Sequence, residues 1–171
     1  MKKISVALIA LLLVIIGCDD KEKKITEAYN ELTEQSTMLA EKHKEFEAEH
    51  AEMSKEHAEF VKEVEALKMK DSTKVDPKLL AEIAEHGVIL KRHDVIIKEH
   101  EAIIAGHDTL KTDFEGLSAE EKMAEIKEMK KGHKMMMEAH ANMQEEHSEM
   151  HEQHEAMQAE IKEEMGEMTA S

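Results

Sequence analysis

Between His86 and Asp113 the chain repeats in sevens: HGVILKR, HDVIIKE, HEAIIAG, HDTLKTD. A histidine opens each heptad, at His86, His93, His100 and His107. Aliphatic residues follow three and four places on: Ile89 and Leu90, Ile96 and Ile97, Ile103 and Ile104. At about 100° per residue those positions lie roughly 50° to either side of the histidine. The histidines therefore run down the centre of the apolar face of a helix, where leucine normally sits. A period of seven sustained over four repeats demands a partner helix along that face.

The same pattern flanks this stretch on both sides. From Ile25 one core row carries Ile25, Leu32, Leu39, Phe46, Met53, Phe60 and Leu67, and the other carries Tyr29, Ser36, His43, His50, His57 and Val64. Further on, a seam runs through Ile126, Met129, His133, Met136, His140, Met143, His147, Met150, His154, Met157 and Ile161, with His151 beside it. The histidine phase slips between the runs, and breakers stand where it slips. Asp76 reads as an N-cap with Pro77 at the first helical position. Gly116 followed by Ser118 and Glu121 reads as a stop and then a capping box. The predicted helices span 25–69, 77–114 and 119–167, after a solvated tether over 19–24.

Short connections favour antiparallel neighbours. The expected fold is all-α: an antiparallel up-down-up three-helix bundle with a histidine-rich heptad seam at 25–168. A helical hairpin that oligomerises through the same seams is the alternative. In the bundle the phases bring all three histidine rows onto shared layers. Counting rise from each turn puts His50, His100 and His133 in one layer and His57, His93 and His140 in another. His43 and His107 then lie near Ile126, and His86 and His147 near Val64. A heptad slip would alter this register without changing the pattern.

Composition narrows the function. Against 23 basic residues stand 39 acidic ones, a formal charge of −16, which repels phosphate backbones and argues against nucleic acid. With no Trp, one Tyr and three Phe, the core is a thin seam with little room for a substrate pocket. No Ser-His-Asp set or glycine-rich phosphate loop is present, and an enzyme is not expected.

The chain begins Met1-Lys2-Lys3, followed by a thirteen-residue apolar run, Ile4–Ile16, shorter than the roughly 20 residues a membrane span needs. This has the form of a signal peptide over 1–17. The sequence Ile15-Ile16-Gly17-Cys18, holding the sole cysteine, resembles the lipobox of bacterial lipoproteins. The resemblance implies cleavage before Cys18 and acylation there, including a fatty acyl chain such as palmitate. It implies an extracytoplasmic protein anchored to a bacterial membrane, with the outer membrane favoured. Asp19 and Asp20 resemble an inner-membrane retention signal in some groups and a surface-export signal in others.

Three readings of the histidines stand, the first of them, a structural or interaction role, being the primary expectation and metal binding its main rival. They are polar core residues that fix register, in a lipoprotein with a structural or interaction role, partnered by an envelope protein or by its own copies. Or they bind transition metal: Zn through imidazole, Cu(I) or Ag(I) where thioether joins. The candidate ligands are His50, His57, His93, His100, His133, His140, His147 and His154, with Met136, Met143, Met150 and Met157. The four His-x-x-Met steps of the third helix place nitrogen and sulfur one turn apart on one face. They are loosely similar to motifs of periplasmic silver- and copper-binding proteins. Methionine at seam spacing is more often plain core filling. The third reading is pH sensing by buried neutral imidazoles.

Overall fold

The computed structural model describes residues 18–169, so the signal-peptide and lipobox residues 1–17 lie outside the described part, as does everything about the Cys18 side chain. Three long helices account for nearly all of it: α1 Cys18–Lys70, α2 Pro77–Asp113 and α3 Ala119–Thr169. Short 3-10 turns, Ser72–Lys74 and Phe114–Gly116, join them. All three helices pack on one another within one chain, α1 against both α2 and α3 and α2 against α3. The three-helix bundle thus forms without a second copy, unlike the alternative hairpin. No helix among the described residues is long and apolar enough to cross a membrane.

The helix ends form as the breakers dictate. Asp76 caps α2, accepting from the Lys78 backbone N–H at 2.8 Å, with Pro77 in the first turn. Ser118 and Glu121 close a capping box: the Glu121 carboxylate accepts from the Ser118 backbone N–H at 2.8 Å and from its hydroxyl at 2.6 Å. Those two bonds hold the Glu121 carboxyl below the usual range. The expected tether over 19–24 is instead the first turns of α1. Lys and Glu there are good helix formers. Residues 20–23 remain exposed, so the segment is solvated but helical.

The direction and register follow from which residues meet. Partners on α1 and α3 keep a constant separation of 97 residues, so these helices advance together. As α1 rises from His43 through His50 to His57, its partner on α2 falls from His100 through His93 to His86, so α2 runs against both. The observed layers are His43–His100–His140, His50–His93–His147 and His57–His86–His154, called lower, middle and upper below.

This corrects the expected register. His50 does not share a layer with His100 and His133, nor His57 with His93 and His140. Relative to α2, α1 has moved one heptad one way and α3 one heptad the other. The bundle ends explain the shift. At the bottom, Tyr29 stacks on Phe114 with centroids 3.5 Å apart and planes at 6°, and Phe114 joins Ile25, Ala28, Leu32, Ile126 and Met129 in one apolar cluster. Phe114, not His43 or His107, therefore occupies the level of Ile126. At the top, Val75 folds back from the connection to pack with Leu79, Ile83, Phe60, Val64, Leu67, Met157 and Ile161. Val64 thus meets Leu79 and Ile161 in place of His86 and His147. A slipped register would break up both end clusters, and burying large apolar side chains is worth about 1.5–3 kcal/mol each.

Candidate metal centre

Apolar and imidazole layers alternate along the bundle. Phe46, Ile97 and Met143 pack together between the lower and middle histidine layers, and Met53, Leu90 and Met150 pack together between the middle and upper ones. Met136, Met143 and Met150 are fully buried and Met157 nearly so. Three of the four His-x-x-Met methionines, Met143, Met150 and Met157, are therefore seated in hydrophobic clusters that alternate with the imidazole layers. They act there as core side chains.

Each three-histidine layer is built alike. The Nε2 atom of the α3 histidine faces two Nδ1 atoms, one from α1 and one from α2. In the lower layer His140 Nε2 lies 3.2 Å from His43 Nδ1 and 3.2 Å from His100 Nδ1. In the middle layer His147 Nε2 lies 3.1 Å from both His50 Nδ1 and His93 Nδ1. In the upper layer His154 Nε2 lies 3.2 Å from His57 Nδ1 and 3.1 Å from His86 Nδ1. The ring poses repeat as well. The α1 and α3 rings are close to parallel (20°, 16° and 21°), and the α2 ring stands steeply across the α3 ring (78°, 64° and 65°). One ligand atom from each ring lies within 4.8 Å of the other two in every layer. A tetrahedral zinc with nitrogens at 2.0–2.1 Å sets its ligands about 3.3–3.4 Å apart, so the two short edges of each triangle already match a metal's span. These buried triads could hold a metal ion.

Of the candidate ligands, eight histidines were expected from sequence, and seven of them fall into these triads: His50, His57, His93, His100, His140, His147 and His154. His43 and His86 complete the sets. His133 does not join one. It meets His107, with ring centroids 4.9 Å apart, and Ser36 fills the third place. The Ser36 hydroxyl lies 2.7 Å from His133 Nε2 and 3.2 Å from His107 Nδ1. The twelfth histidine, His151, is half-exposed, 3.7 Å from the Glu56 carboxylate and 3.6 Å from that of Glu155.

Around the middle layer stand partners that the sequence did not single out. His50 Nε2 donates to the Asp94 carboxylate at 3.0 Å. His93 Nε2 donates to the Glu146 carboxylate at 2.5 Å, and Arg92 donates to the other oxygen of Glu146 at 2.5 Å. Each carboxylate is the chain neighbour of one seam histidine and serves another: Asp94 follows His93 but holds His50, and Glu146 precedes His147 but holds His93. In the upper layer His86 Nε2 donates to the Gln153 side-chain carbonyl at 2.6 Å. In the lower layer the buried His43 Nε2 has no hydrogen-bond partner. Carboxylates one residue from a seam histidine are common in a chain with 39 of them, so sequence carries no signal for these two.

Burial favours the neutral form of eight of the imidazoles, His57, His93, His100, His107, His133, His140, His147 and His154. His100, His140, His147 and His154 are pushed down to about 4, first by burial and then by the neighbouring histidines of their layers. His133 falls to about 4 through burial and His107. His57 is lowered by burial and His86, and His93 by burial against the opposing pull of Glu146. For Glu146 burial acts upward, but the bonds from His93 and Arg92 outweigh it and leave the carboxyl below its ordinary range. Neutral imidazoles with inward lone pairs are the form that ligates metal.

No known protein family, curated protein or solved structure matches this chain.

Proposed function

We propose that this protein is a metal-binding lipoprotein: an extracytoplasmic helical bundle, tethered through Cys18, that takes up a borderline divalent transition metal in its stacked histidine layers. One observation carries the reading. Three buried layers repeat one arrangement, two Nδ1 atoms and one Nε2 atom turned on a common centre. A single polar layer is enough to fix the register of a coiled coil, so three such layers exceed that need. All-imidazole sets suit Zn, Cu(II) and Ni over the softer Cu(I) and Ag(I), which prefer sulfur. With the nearby methionines committed to apolar layers, zinc is the first choice, its fourth position left to water or another small ligand.

The test is thermal unfolding of the full chain in detergent, with and without Zn²⁺, Cu²⁺, Cu(I) and Ag(I), alongside elemental analysis after dialysis. Zinc at 100 times its Kd should stabilise the fold by about 2.7 kcal/mol for each site filled, with up to three ions retained per chain. No shift with any metal and no bound metal would overturn the reading. A second reading, a structural spacer whose histidines only fix register, is favoured by the Ser36–His107–His133 layer, where a hydroxyl joins the two rings without any ion. It expects capture of a defined envelope partner or self-assembly, and no metal response.

A further inference from the structure

Resting on that reading, we propose that the three layers are not equivalent. The middle triad, His50–His93–His147, is the primary site, and Asp94 and Glu146 are its positioning residues. The upper and lower triads load only at higher metal concentration.

The argument turns on the outward nitrogens. A histidine ligates through one ring nitrogen only if the proton resides on the other, and an acceptor on that other nitrogen fixes both tautomer and ring angle. In the middle layer two of three rings have a carboxylate there, Asp94 at 3.0 Å from His50 Nε2 and Glu146 at 2.5 Å from His93 Nε2. Both Nδ1 lone pairs are thereby turned inward before any ion arrives. Arg92 pins Glu146 in turn. The two carboxylates also offset the charge that a dication brings into the bundle. In the upper layer the Gln153 carbonyl holds His86 in the same sense but carries no charge.

The lower layer is the least prepared. For His43 to ligate through Nδ1, its proton must reside on Nε2, which is buried with no hydrogen-bond partner, the Glu47 carboxylate lying 3.7 Å away. A buried donor without an acceptor is costly. Its third member, His140, is also only partly buried. Support for the ligand tautomer thus falls from middle to upper to lower.

The experiment is a Zn²⁺ titration of the full chain in detergent with ¹⁵N-labelled imidazoles, read by NMR at each ring. In the metal-free chain His50 and His93 should show the Nε2–H tautomer. The first equivalent should move His50, His93 and His147 together, with an affinity at least tenfold above the next two. Losing an outer-shell partner typically lowers metal affinity about 10–100-fold. Asp94→Ala and Glu146→Ala should each weaken the first equivalent by that factor, while the upper and lower triads keep their own affinities. A variant that merely loosened the bundle would weaken all three. Filling of an outer triad first, or of all three with equal affinity, overturns the ranking and leaves the metal reading standing. So does first-site affinity unchanged within about twofold in Asp94→Ala/Glu146→Ala. Absence of zinc at every layer overturns both.

Discussion

Two layers of the same bundle, two heptads apart, answer the same packing problem differently. At Ser36–His107–His133 a hydroxyl faces two rings at 2.7 and 3.2 Å. A hydroxyl both donates and accepts, so it can serve one ring as donor and the other as acceptor, while the outer His133 Nδ1 stays buried without a partner. At His50–His93–His147 a third ring replaces the hydroxyl. Asp94 and Glu146 accept the outer protons of His50 and His93, so both Nδ1 atoms face inward as lone pairs. A single proton on His147 Nε2 must then serve two acceptors at 3.1 Å. One side chain therefore decides between a layer joined by a hydroxyl and a three-imidazole layer that a cation could complete once the His147 proton moves from Nε2 to Nδ1.

Acid should have the largest effect, and it should act on both kinds of layer, since His133 of the Ser36 layer is also pushed down to about 4. His100, His140, His147 and His154 titrate near 4 when folded, against an ordinary value of 6.5. The unfolded chain then binds more protons below pH 6.5, so stability is complete above that pH and is lost as pH falls toward 4. The slope is up to about 1.4 kcal/mol per pH unit for each such histidine. Several rings acting together should remove several kcal/mol by pH 4.5, measured as circular dichroism melts from pH 7.5 to 4.5. A flat melting profile in the parent chain would show that the layers are not buried and neutral.

Removing one ring from each layer tests the division directly. His147→Leu deletes the atom that two others face and should abolish one of three zinc equivalents in equilibrium dialysis. His133→Leu should abolish none, because its layer has two imidazoles. His147→Leu leaves the buried Nδ1 atoms of His50 and His93 without that partner and should cost about 1–3 kcal/mol in the metal-free chain, whereas in His133→Leu the His107 Nδ1 keeps the Ser36 hydroxyl. Equal loss of zinc in the two would erase the distinction. Ser36→His is the converse change. It supplies the third ring and should create a fourth equivalent, whereas Ser36→Ala should only destabilise.

How much of this the sequence carried depends on the residue. The heptad phase alone placed eleven histidines on the seam and left His151 outside it. Asp76, Pro77, Ser118 and Glu121 marked the helix starts through local hydrogen bonds that need no tertiary context. The register did not follow, because every layer offers the same histidine and a slip by seven preserves the pattern. It is fixed by features unlike the repeat: Tyr29 stacking on Phe114, and Val75 folding back onto Leu67 and Leu79. Counting along the helices from each turn could not see that a connection residue would be core. The carboxylates of the middle layer were hidden for a related reason. Asp94 and Glu146 reach across to rings on other helices, so their role depends on the register.

The smallest expected effect concerns the glycines beside these layers. Gly87 adjoins the upper three-histidine layer: a Cβ there would sit 3.6 Å from His57 Nε2, an ordinary contact. Gly132 adjoins the Ser36 layer: a Cβ there would sit 3.3 Å from Ile103 Cγ2 and 3.6 Å from His107 Nε2. Alanine inside a helix is favoured over glycine by about 1 kcal/mol. Gly87→Ala should keep most of that gain. Gly132→Ala should keep less, because Ile103 must shift a few tenths of an ångström to admit the methyl group. Urea unfolding of the metal-free chain at pH 7.5 measures the difference. If Gly132→Ala stabilises as much as Gly87→Ala, Ile103 has slack, and the Ser36 layer is held by its hydrogen bonds alone rather than by close packing of α2 on α3. If Gly87→Ala instead destabilises, His57 is already confined, and the upper triad has less freedom to adjust its third edge around an ion than the spacing of its nitrogens implies.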